Sequence, residues 1–503
     1  MSERSSLRRG MGFAATSFVA NAFVQLLSSV LTARLYGVET IGEYALVTAP
    51  WLTLVLFSNV SEQMALVREL SVLPARDARV GRYFFPVLAL STGLTVSVGT
   101  IITVLSVAAL RGPIDEPDLV APAIAVLVGY VVLENVSWNL DSVFSAFRAG
   151  KELLVVRLTQ VVSFLVLAVG FRSVSETVWS LAIATLISFA LAFVVRLALV
   201  RRFLTWVPRG EIRAGFGELP RLLKFSLQLV PGAIANGLSS QAATWILGSI
   251  TNVRTVGAYS RAANVAMRIQ EAGFRASEMV FPAMVEHAHA GNDDGIRDDL
   301  RLSIRTWGLP LFLLVAVGAG VAEGALQVFG EGFDRAANAF ALLLLAYTLS
   351  VVSLLCGDVF LAQGRPTLAT MLVVVRSAVM IGLMVPGAAW YGATGAAGAL
   401  AAGFGVDVLV RLLIVRRTVF GGHLESIART GIAILVGGGT AFALSRALDA
   451  SLDKPWGTIL GGLVGTAVYG ALVLALGGVS AEERAAARRR LRPGAAVPTP
   501  PPS

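Results

Sequence analysis

Charged residues and cysteine are scarce in this chain of 503 residues. Charged side chains make up 15% of it, whereas a soluble domain typically carries about 25%, so the composition excludes an ordinary soluble protein. The single cysteine, Cys356, excludes an intramolecular disulfide framework and a cysteine-rich metal site. The three histidines, His287, His289 and His423, all fall in predicted connecting loops. Hydrophobic residues account for 55% of the chain and the mean hydropathy is +0.74, which indicates an integral membrane protein.

Long apolar segments dominate the sequence. A helix needs roughly 20 apolar residues to cross about 30 Å of hydrocarbon, and unpaired backbone groups are not tolerated in lipid, so each segment is predicted to be a helix. The continuous apolar runs exclude a transmembrane β-barrel, whose strands alternate apolar and polar residues. The expected fold is therefore an all-α integral membrane protein with about 14 transmembrane helices. The predicted spans, numbered one to fourteen, are 12–33, 42–66, 83–109, 119–145, 153–171, 177–199, 222–249, 258–282, 304–323, 337–361, 368–389, 393–415, 428–447 and 457–477.

The distribution of Lys and Arg predicts the orientation. With both termini on the cytoplasmic side, 28 of the 41 Lys and Arg fall on inside segments and 7 on outside segments, and the inside total includes Arg196 at the end of span six. This asymmetry follows the positive-inside rule. The net charge of +9 is therefore attributed to orientation and to anionic membrane lipids, and it gives no reason to expect nucleic-acid binding. The expected location is the cytoplasmic membrane of the cell.

A weak internal repeat has an offset of 215 residues. Ala20-Asn21 matches Ala235-Asn236, and the sequence V-x-T-I-G-x-Y at 38–44 matches V-x-T-V-G-x-Y at 253–259. We call these two stretches the first and second exit motifs. Six spans separate the copies, and an even number predicts a parallel repeat about an axis along the membrane normal. The expected organisation is an N-lobe at 1–200, a cytoplasmic linker at 201–221, a C-lobe at 222–417, two extra spans at 418–480 and a disordered basic, proline-rich cytoplasmic tail at 481–503.

The motifs resemble those of a known family. R-L-Y-G at 34–37 followed by the first exit motif, F-R-A-G-K at 147–151 and L-L-K-F at 222–225 are similar to the polysaccharide flippases of the multidrug/oligosaccharidyl-lipid/polysaccharide (MOP) exporter superfamily. The resemblance implies that the chain moves lipid-linked oligosaccharides, such as O-antigen or teichoic-acid units, across the membrane. It also implies alternating access between two six-helix lobes.

Span eight carries a stripe of charged residues at spacings of 3 and 4, which places them on one face of a helix. A charge at the bilayer centre costs about 2.5–3.5 kcal/mol on insertion scales, so the stripe is not expected to face lipid. One interpretation is a cationic wall that binds the pyrophosphate of the substrate. In the alternative, Arg and Glu neighbours pair within the helix. The stripe comprises Arg261, Asn264, Arg268, Glu271, Arg275 and Glu278.

Other polar residues lie in the spans. Glu134 and Asp141 share a face of span four; they could carry a coupling ion or could pair with arginines of span eight. Glu271 and Glu278 of span eight are further candidates for a coupling or gating role. Neutral amides that could bind sugar hydroxyls, or could only hold helices together, occur in spans one and seven: Asn21, Gln25, Asn236 and Gln241. In spans ten to twelve, Asp407 and Arg411 are predicted to pair with each other, as are Asp358 and Arg376.

No catalytic constellation is evident. The sequence has no metal-ligand cluster and no G-x-x-x-x-G-K-[ST] phosphate loop, so we expect neither an enzyme nor a cofactor, apart from a coupling ion such as H⁺ or Na⁺. The expected function is a flippase for polyprenyl-pyrophosphate-linked oligosaccharide in envelope polysaccharide biosynthesis. Glycan polymerases or glycosyltransferases are the expected partners. The alternative is a MOP-type multidrug or cation antiporter, although a cavity lined by arginine does not favour cationic cargo.

Overall fold

The computed structural model describes residues 3–58, 66–67, 69–71, 73–147, 149–204, 208–227, 230–419 and 425–478. Within these residues the chain is helical, with no strand. The side chains of a few of them, including 3–22 and 221–227, are outside the description, as is the predicted tail at 481–503. The all-α prediction is confirmed.

Each predicted span overlaps a helix. Span one and residues 42–58 of span two fall in one helical stretch, and spans eleven and twelve fall in another. The helical elements, in chain order, are Glu3–Ser58, Ala78–Arg111, Pro117–Leu119, Val120–Gly129, Tyr130–Glu134, Asn135–Ala146, Gly150–Arg172, Val178–Val200, Arg209–Leu227, Val230–Ile250, Val253–His289, Asp293–Gly320, Ala322–Gln327, Phe333–Ala336, Ala337–Ala362, Pro366–Thr418, Glu425–Ser451 and Trp456–Ala475.

Two glycines divide the longest helical stretches. Gly37 has φ 77° and ψ 171° between spans one and two, and Gly392 has φ 54° and ψ −132° between spans eleven and twelve. Positive φ is unfavourable for residues with a Cβ, so glycine allows the chain to turn at these two points. Both turns lie where the sequence predicts a break between spans.

The helices are those of a multi-pass membrane protein. In the described part of the chain, nine helices are long and apolar enough to cross a membrane, and the 53-residue helix Pro366–Thr418 counts once among them although it holds two predicted spans. The exact number of fourteen spans stays a prediction.

The described residues form two compact units. The first lies within 1–268, 326–346 and 365–407, and the second within 269–325, 347–364 and 408–503. Spans one to six and the beginning of span eight belong to the first unit, which therefore contains most of the candidate residues. The lobe boundaries expected from the repeat stay a prediction.

Aromatic and apolar side chains fill the interior of the first unit. The Trp51 ring stacks on Tyr130 with 5.2 Å between centroids and meets the edge of Phe189 at 6.0 Å. Phe144 is fully buried in an apolar cluster that also contains Phe84. These contacts fix span four against spans two, three and six.

A helix that begins in the predicted linker and continues past its end packs on span three. Arg209–Leu227 begins eight residues after the linker begins, and its Gly215 lies so close to the carbonyl oxygen of Arg82 that a Cβ would overlap it. The Arg82 guanidinium also pairs with Glu218 and lies 3.5 Å from Glu211. This segment therefore packs against span three inside the first unit.

The second unit is joined by small residues. The Ser445 hydroxyl donates to the Gly461 carbonyl at 2.8 Å, which links spans thirteen and fourteen. The Tyr469 hydroxyl donates to the Leu309 carbonyl at 2.9 Å and joins span fourteen to span nine. Glycine and serine at the contact let the helix backbones approach closely, as is typical of membrane helices.

Candidate functional site

Arg261 is a buried cation in span eight. It lies eight residues after the start of the helix Val253–His289, about 12 Å along a helix that rises 1.5 Å per residue. Its relative exposure is 9%, and its Nη1 donates to the Ser29 hydroxyl at 2.9 Å. Among the side chains that the structure describes, its Nε has no hydrogen-bond partner and no carboxylate lies within ion-pair distance. The predicted cationic position is thus buried beside span one without a described counter-charge.

The structure describes only some of the other side chains in the stripe. Asn264 is exposed, whereas Arg268 and Glu271 are half-buried and each has an interaction partner. The side chains of Arg275 and Glu278 lie outside the described residues, although their backbone continues the helix. The uninterrupted helix supports the predicted common face.

The neutral amides are described in part. Gln25 and Gln241 are half-buried on spans one and seven. The side chains of Asn21 and Asn236 lie outside the described residues. Their predicted role in binding sugar hydroxyls stays a prediction.

Glu134 and Asp141 bind one arginine, Arg196 of span six. Its Nη1 donates to Glu134 Oε1 at 3.2 Å, its Nε donates to Asp141 Oδ1 at 3.0 Å, and its Nη2 donates to Asp141 Oδ2 at 3.3 Å. We call these three residues the acidic triad. The side chains of Arg196 and Glu134 are 3% and 5% exposed, and that of Asp141 is 22% exposed. The two carboxylates predicted to share a face therefore share a cation as well.

Local irregularity in span four positions Glu134. Tyr130–Glu134 forms a single π-helical turn between the α-helices Val120–Gly129 and Asn135–Ala146. Such turns are rare and frequently occur at functional sites. The stacking of Tyr130 on Trp51 holds the beginning of the turn.

The next residue, Asn135, anchors the other face of span four. Its amide oxygen accepts hydrogen bonds from the hydroxyls of Ser91 and Thr95, each at 3.0 Å. Asn139 donates to Ser91 at 3.2 Å. The helix is thus fixed by polar contacts with span three while its acidic face meets span six.

The electrostatics of the acidic triad are unbalanced. One guanidinium faces two carboxylates, so the fully ionised group has a net charge of −1. A buried charge is expensive unless it is compensated, and the uptake of one proton would neutralise the group. The arrangement can therefore bind a proton chemically.

Arg196 is the residue that sequence reasoning missed, since it was assigned to the cytoplasmic end of span six. The structure buries it at 2% exposure, four residues before the helix ends at Val200. The sequence could have indicated this burial, because residue 196 lies inside the predicted limits of span six, 177–199. The sequence also left open that span-eight arginines would pair with the carboxylates; the cation that the structure gives is Arg196.

A further intramembrane pair involves Asp407. Its Oδ2 lies 3.7 Å from Nη1 of Arg376, and the Arg376 guanidinium lies 4.6 Å from the centre of the Phe404 ring. This pair was not predicted. The pairings expected from sequence, Asp407 with Arg411 and Asp358 with Arg376, stay predictions.

No metal centre is apparent in the described residues, where no three His, Cys, Asp or Glu side chains are grouped so as to hold an ion.

The family of the chain is shown by its sequence. A family model described as polysaccharide biosynthesis protein matches residues 7–287. No curated protein has a significantly similar sequence.

Solved structures share the fold. A lipid II flippase, MurJ in an inward closed conformation, has a TM-score of 0.69 at 12% identity, with 92% of this chain and 98% of that chain covered. An inward-facing multidrug resistance MATE transporter of the MOP superfamily has a TM-score of 0.60 at 16% identity, covering 80% and 95%. A mutant MATE transporter from Vibrio cholerae has a TM-score of 0.53 at 17% identity, covering 83% and 98%.

Identities this low show a common fold and leave the substrate open. The family match covers more than half of the chain and confirms the resemblance carried by the motifs. The chain belongs to the polysaccharide biosynthesis protein family and has the fold of MOP-superfamily transporters.

Proposed function

We propose that the chain is a flippase that moves a polyprenyl-pyrophosphate-linked oligosaccharide from the cytoplasmic to the outer leaflet for envelope polysaccharide biosynthesis. The observation that carries the proposal is Arg261, a buried guanidinium whose described surroundings offer a hydroxyl and no carboxylate. An uncompensated cation at membrane depth is costly, so such residues usually mark a substrate path. A diphosphate would supply the missing negative charge.

Arginine suits this cargo in its geometry as well as its charge. The planar guanidinium can donate two parallel hydrogen bonds to phosphate oxygens, and such charge-assisted bonds are roughly twice as strong as neutral ones. Nη1 already donates to Ser29, whereas Nε has no described acceptor. The free donor would bind a phosphate oxygen.

The remaining candidate residues would serve other parts of the substrate. The path is expected between spans one to six and spans seven to twelve. The amides of Gln25 and Gln241, with Asn21 and Asn236, would hydrogen-bond sugar hydroxyls. Spans thirteen and fourteen, apolar and rich in glycine, would provide a groove for the isoprenoid tail.

The acidic triad would couple transport to a cation gradient. Its two carboxylates carry one more negative charge than Arg196 can neutralise. Binding and release of H⁺ or Na⁺ would therefore switch the acidic triad between a neutral and a negative state. Neutralisation of one carboxylate would weaken its bond to Arg196, leave the other carboxylate paired and allow spans four and six to shift. Glu134 and Asp141 would then have the coupling role expected from the sequence.

A multidrug or cation antiporter is the second candidate. The fold shared with MATE transporters and the extra carboxylate of the acidic triad favour it. The buried Arg261 argues against it, because a cationic drug would be repelled from this position.

Transport by purified protein in liposomes distinguishes the two. The probe is a fluorescent polyprenyl-pyrophosphate disaccharide, and its flipping is compared with the efflux of a cationic dye, ethidium. We expect flipping by the parent chain, a loss of about tenfold or more in Arg261→Ala and partial activity in Arg261→Lys, which keeps the charge and loses the fork. The exposed Arg111→Ala is the matched control and should retain activity. Dye efflux without lipid flipping, or full activity of Arg261→Ala, would overturn the proposal.

The orientation can be tested separately in a Cys356→Ala background. Cysteine at Arg209 should react with a membrane-impermeant thiol reagent only from the cytoplasmic side. Cysteine at Asp115 should react only from outside. The reverse pattern would contradict cytoplasmic termini and the proposed direction of transport.

A further inference from the structure

The exit motifs have no role in the proposed binding of substrate. They are the clearest repeated feature of the sequence, 215 residues apart and each close to a predicted outer end of a span. In the structure, the first motif at 38–44 and the second at 253–259 lie against each other. Both belong to the first compact unit.

The contact between the motifs is reciprocal. Gly42 lies under the carbonyl group of Val253, and Gly257 lies under the carbonyl group of Val38; a Cβ at either glycine would overlap the opposing oxygen. A Cβ on Gly257 would also lie 2.9 Å from the amide nitrogen of Gly42. Gly42 and Gly257 are equivalent positions of the repeat, as are Val38 and Val253, because each pair is 215 residues apart. Each motif therefore contacts the other through the same positions. This reciprocity is that of an isologous contact about a twofold axis.

Further equivalent residues surround the glycines. Ile41 and Val256 occupy the same motif position and are 1% and 0% exposed. At the next outward position, Glu39 and Arg254 form an ion pair, with Glu39 Oε2 at 3.0 Å from Nε and 2.9 Å from Nη2. Both side chains are more than half exposed. The contact thus has an apolar interior and a polar rim.

The position of the contact relative to Arg261 suggests its role. Arg261 follows Gly257 by four residues on one helix, which places it about 6 Å deeper. Ser29, its hydrogen-bond partner, precedes Gly42 on the other side of the turn at Gly37. The paired motifs therefore lie between the buried cation and the predicted outer surface.

We propose that the two exit motifs form the outer gate of the transporter, closed by reciprocal glycine–carbonyl packing and by the Glu39–Arg254 pair. This proposal rests on the proposed transport by alternating access. Glycine lets two backbones meet without interlocking side chains, so the surfaces can separate without repacking. An exposed ion pair adds orientation and little resistance to opening.

Substitution of the glycines tests the packing. In a Cys356→Ala background, cysteine at Ser29 reports whether the region beneath the motifs is open to an impermeant thiol reagent added outside. Gly42→Ala and Gly257→Ala should raise this labelling about tenfold, because overpacking opposes the closed contact. Gly93→Ala and Gly170→Ala are matched controls in spans, since nothing lies within 4 Å of a Cβ there. Equal labelling in all four variants would overturn the gate.

Cross-linking tests the same gate without crowding it. Cysteines replacing Glu39 and Arg254 should be joined by a short bifunctional thiol reagent that can be cleaved by reduction. We expect the cross-link to stop flipping of the pyrophosphate probe, reduction to restore it, and each single-cysteine variant to stay active. Transport that continues in the cross-linked protein would overturn the proposal, as would failure of the pair to cross-link.

The two proposals fail separately. Labelling at Ser29→Cys needs no substrate, so it reports on the gate even if the pyrophosphate probe is not transported. A labelling change without flipping would support the gate and reject the lipid substrate. Flipping by the parent chain with unchanged labelling in Gly42→Ala would support the lipid substrate and reject the gate.

Discussion

Arg196 binds the carboxylate of Asp141 with two nitrogens, at 3.0 Å from Nε to Oδ1 and 3.3 Å from Nη2 to Oδ2. This two-point contact joins spans four and six and leaves Nη1 for Glu134. Spans four and six are therefore connected through ions at membrane depth as well as through apolar packing.

Removal of Arg196 should destabilise the protein strongly. Arg196→Ala would leave two buried carboxylates without their cation, and breaking a buried pair in this way costs about 3–5 kcal/mol. Arg201→Ala, at an exposed position just after the same helix, should change the unfolding free energy by less than about 0.5 kcal/mol. Both can be measured by unfolding in detergent micelles. Combining Arg196→Met with Glu134→Gln and Asp141→Asn should restore much of the loss; equal stability of Arg196→Ala and the parent would contradict the charge argument.

Neutralisation of one carboxylate should uncouple transport from pH. In Glu134→Gln the remaining Asp141 and Arg196 balance each other, so no proton is required for neutrality. We expect flipping in liposomes to lose its response to an imposed pH gradient while some flipping persists. The exposed Glu176→Gln should keep the response of the parent. A Glu134→Gln variant that still responds to the gradient would exclude the acidic triad as the coupling site.

Close packing at the turn between spans eleven and twelve predicts opposite effects for two glycines. A Cβ at Gly395 would overlap the carbonyl oxygen of Gly387, so Gly395→Ala should cost about 1–3 kcal/mol through overpacking. Gly405 has nothing within 4 Å of the added carbon, and Gly405→Ala should gain about 0.5–1 kcal/mol because alanine favours helix. Unfolding in micelles measures both. An unchanged free energy of unfolding in Gly395→Ala would mean that the two helices do not cross as closely as described.

The loop after span three, which is predicted to lie outside, should show a pH-dependent stability. Partial burial, with the nearby Asp115, Asp118 and Glu39, raises the pKa of Glu116 above its ordinary value of 4.5. The folded chain then holds this proton more tightly than the unfolded chain, so stability falls as pH rises from 4.5 through the raised pKa. At neutral pH, Glu116→Gln should raise the free energy of unfolding, and with it the melting temperature. The gain should be less than about 1 kcal/mol because the group is partly solvated.

The effect has a clear signature in a pH series. The difference between Glu116→Gln and the parent should disappear below pH 4.5, where the carboxyl is protonated in both folded and unfolded states. A stabilisation that grows toward low pH would have the wrong sign and would contradict the assigned cause.

The helices could be predicted from the sequence because apolar runs of sufficient length have one stable form in lipid. The breaks at Gly37 and Gly392 fell where span lengths required them. The π-helical turn Tyr130–Glu134 left no signal, since its first four residues, Tyr-Val-Val-Leu, resemble the rest of the apolar span. Local pattern determines that a helix forms and does not determine a single-residue irregularity within it.

The sequence predicted which charged residues lie in the candidate site, but it did not predict which of them pair with each other. Periodicity shows that Glu134 and Asp141 share a face, but it does not give the neighbouring helix, and so Arg196 was missed. For the same reason the pair of Arg376 with Asp407 was not foreseen. Arg261 was identified because it belongs to the stripe of charged residues spaced by 3 and 4 in span eight.

The reciprocal contact of Gly42 and Gly257 also bears on the origin of the chain. Two identical molecules related by a dyad can form such a contact, because each offers the surface that the other needs. An ancestor of half the present length could therefore have associated as a homodimer through this surface before gene duplication and fusion joined the halves. In a pair of identical halves the residues at positions 39 and 254 would be the same, so the attraction between Glu39 and Arg254 is available only to a chain whose halves differ.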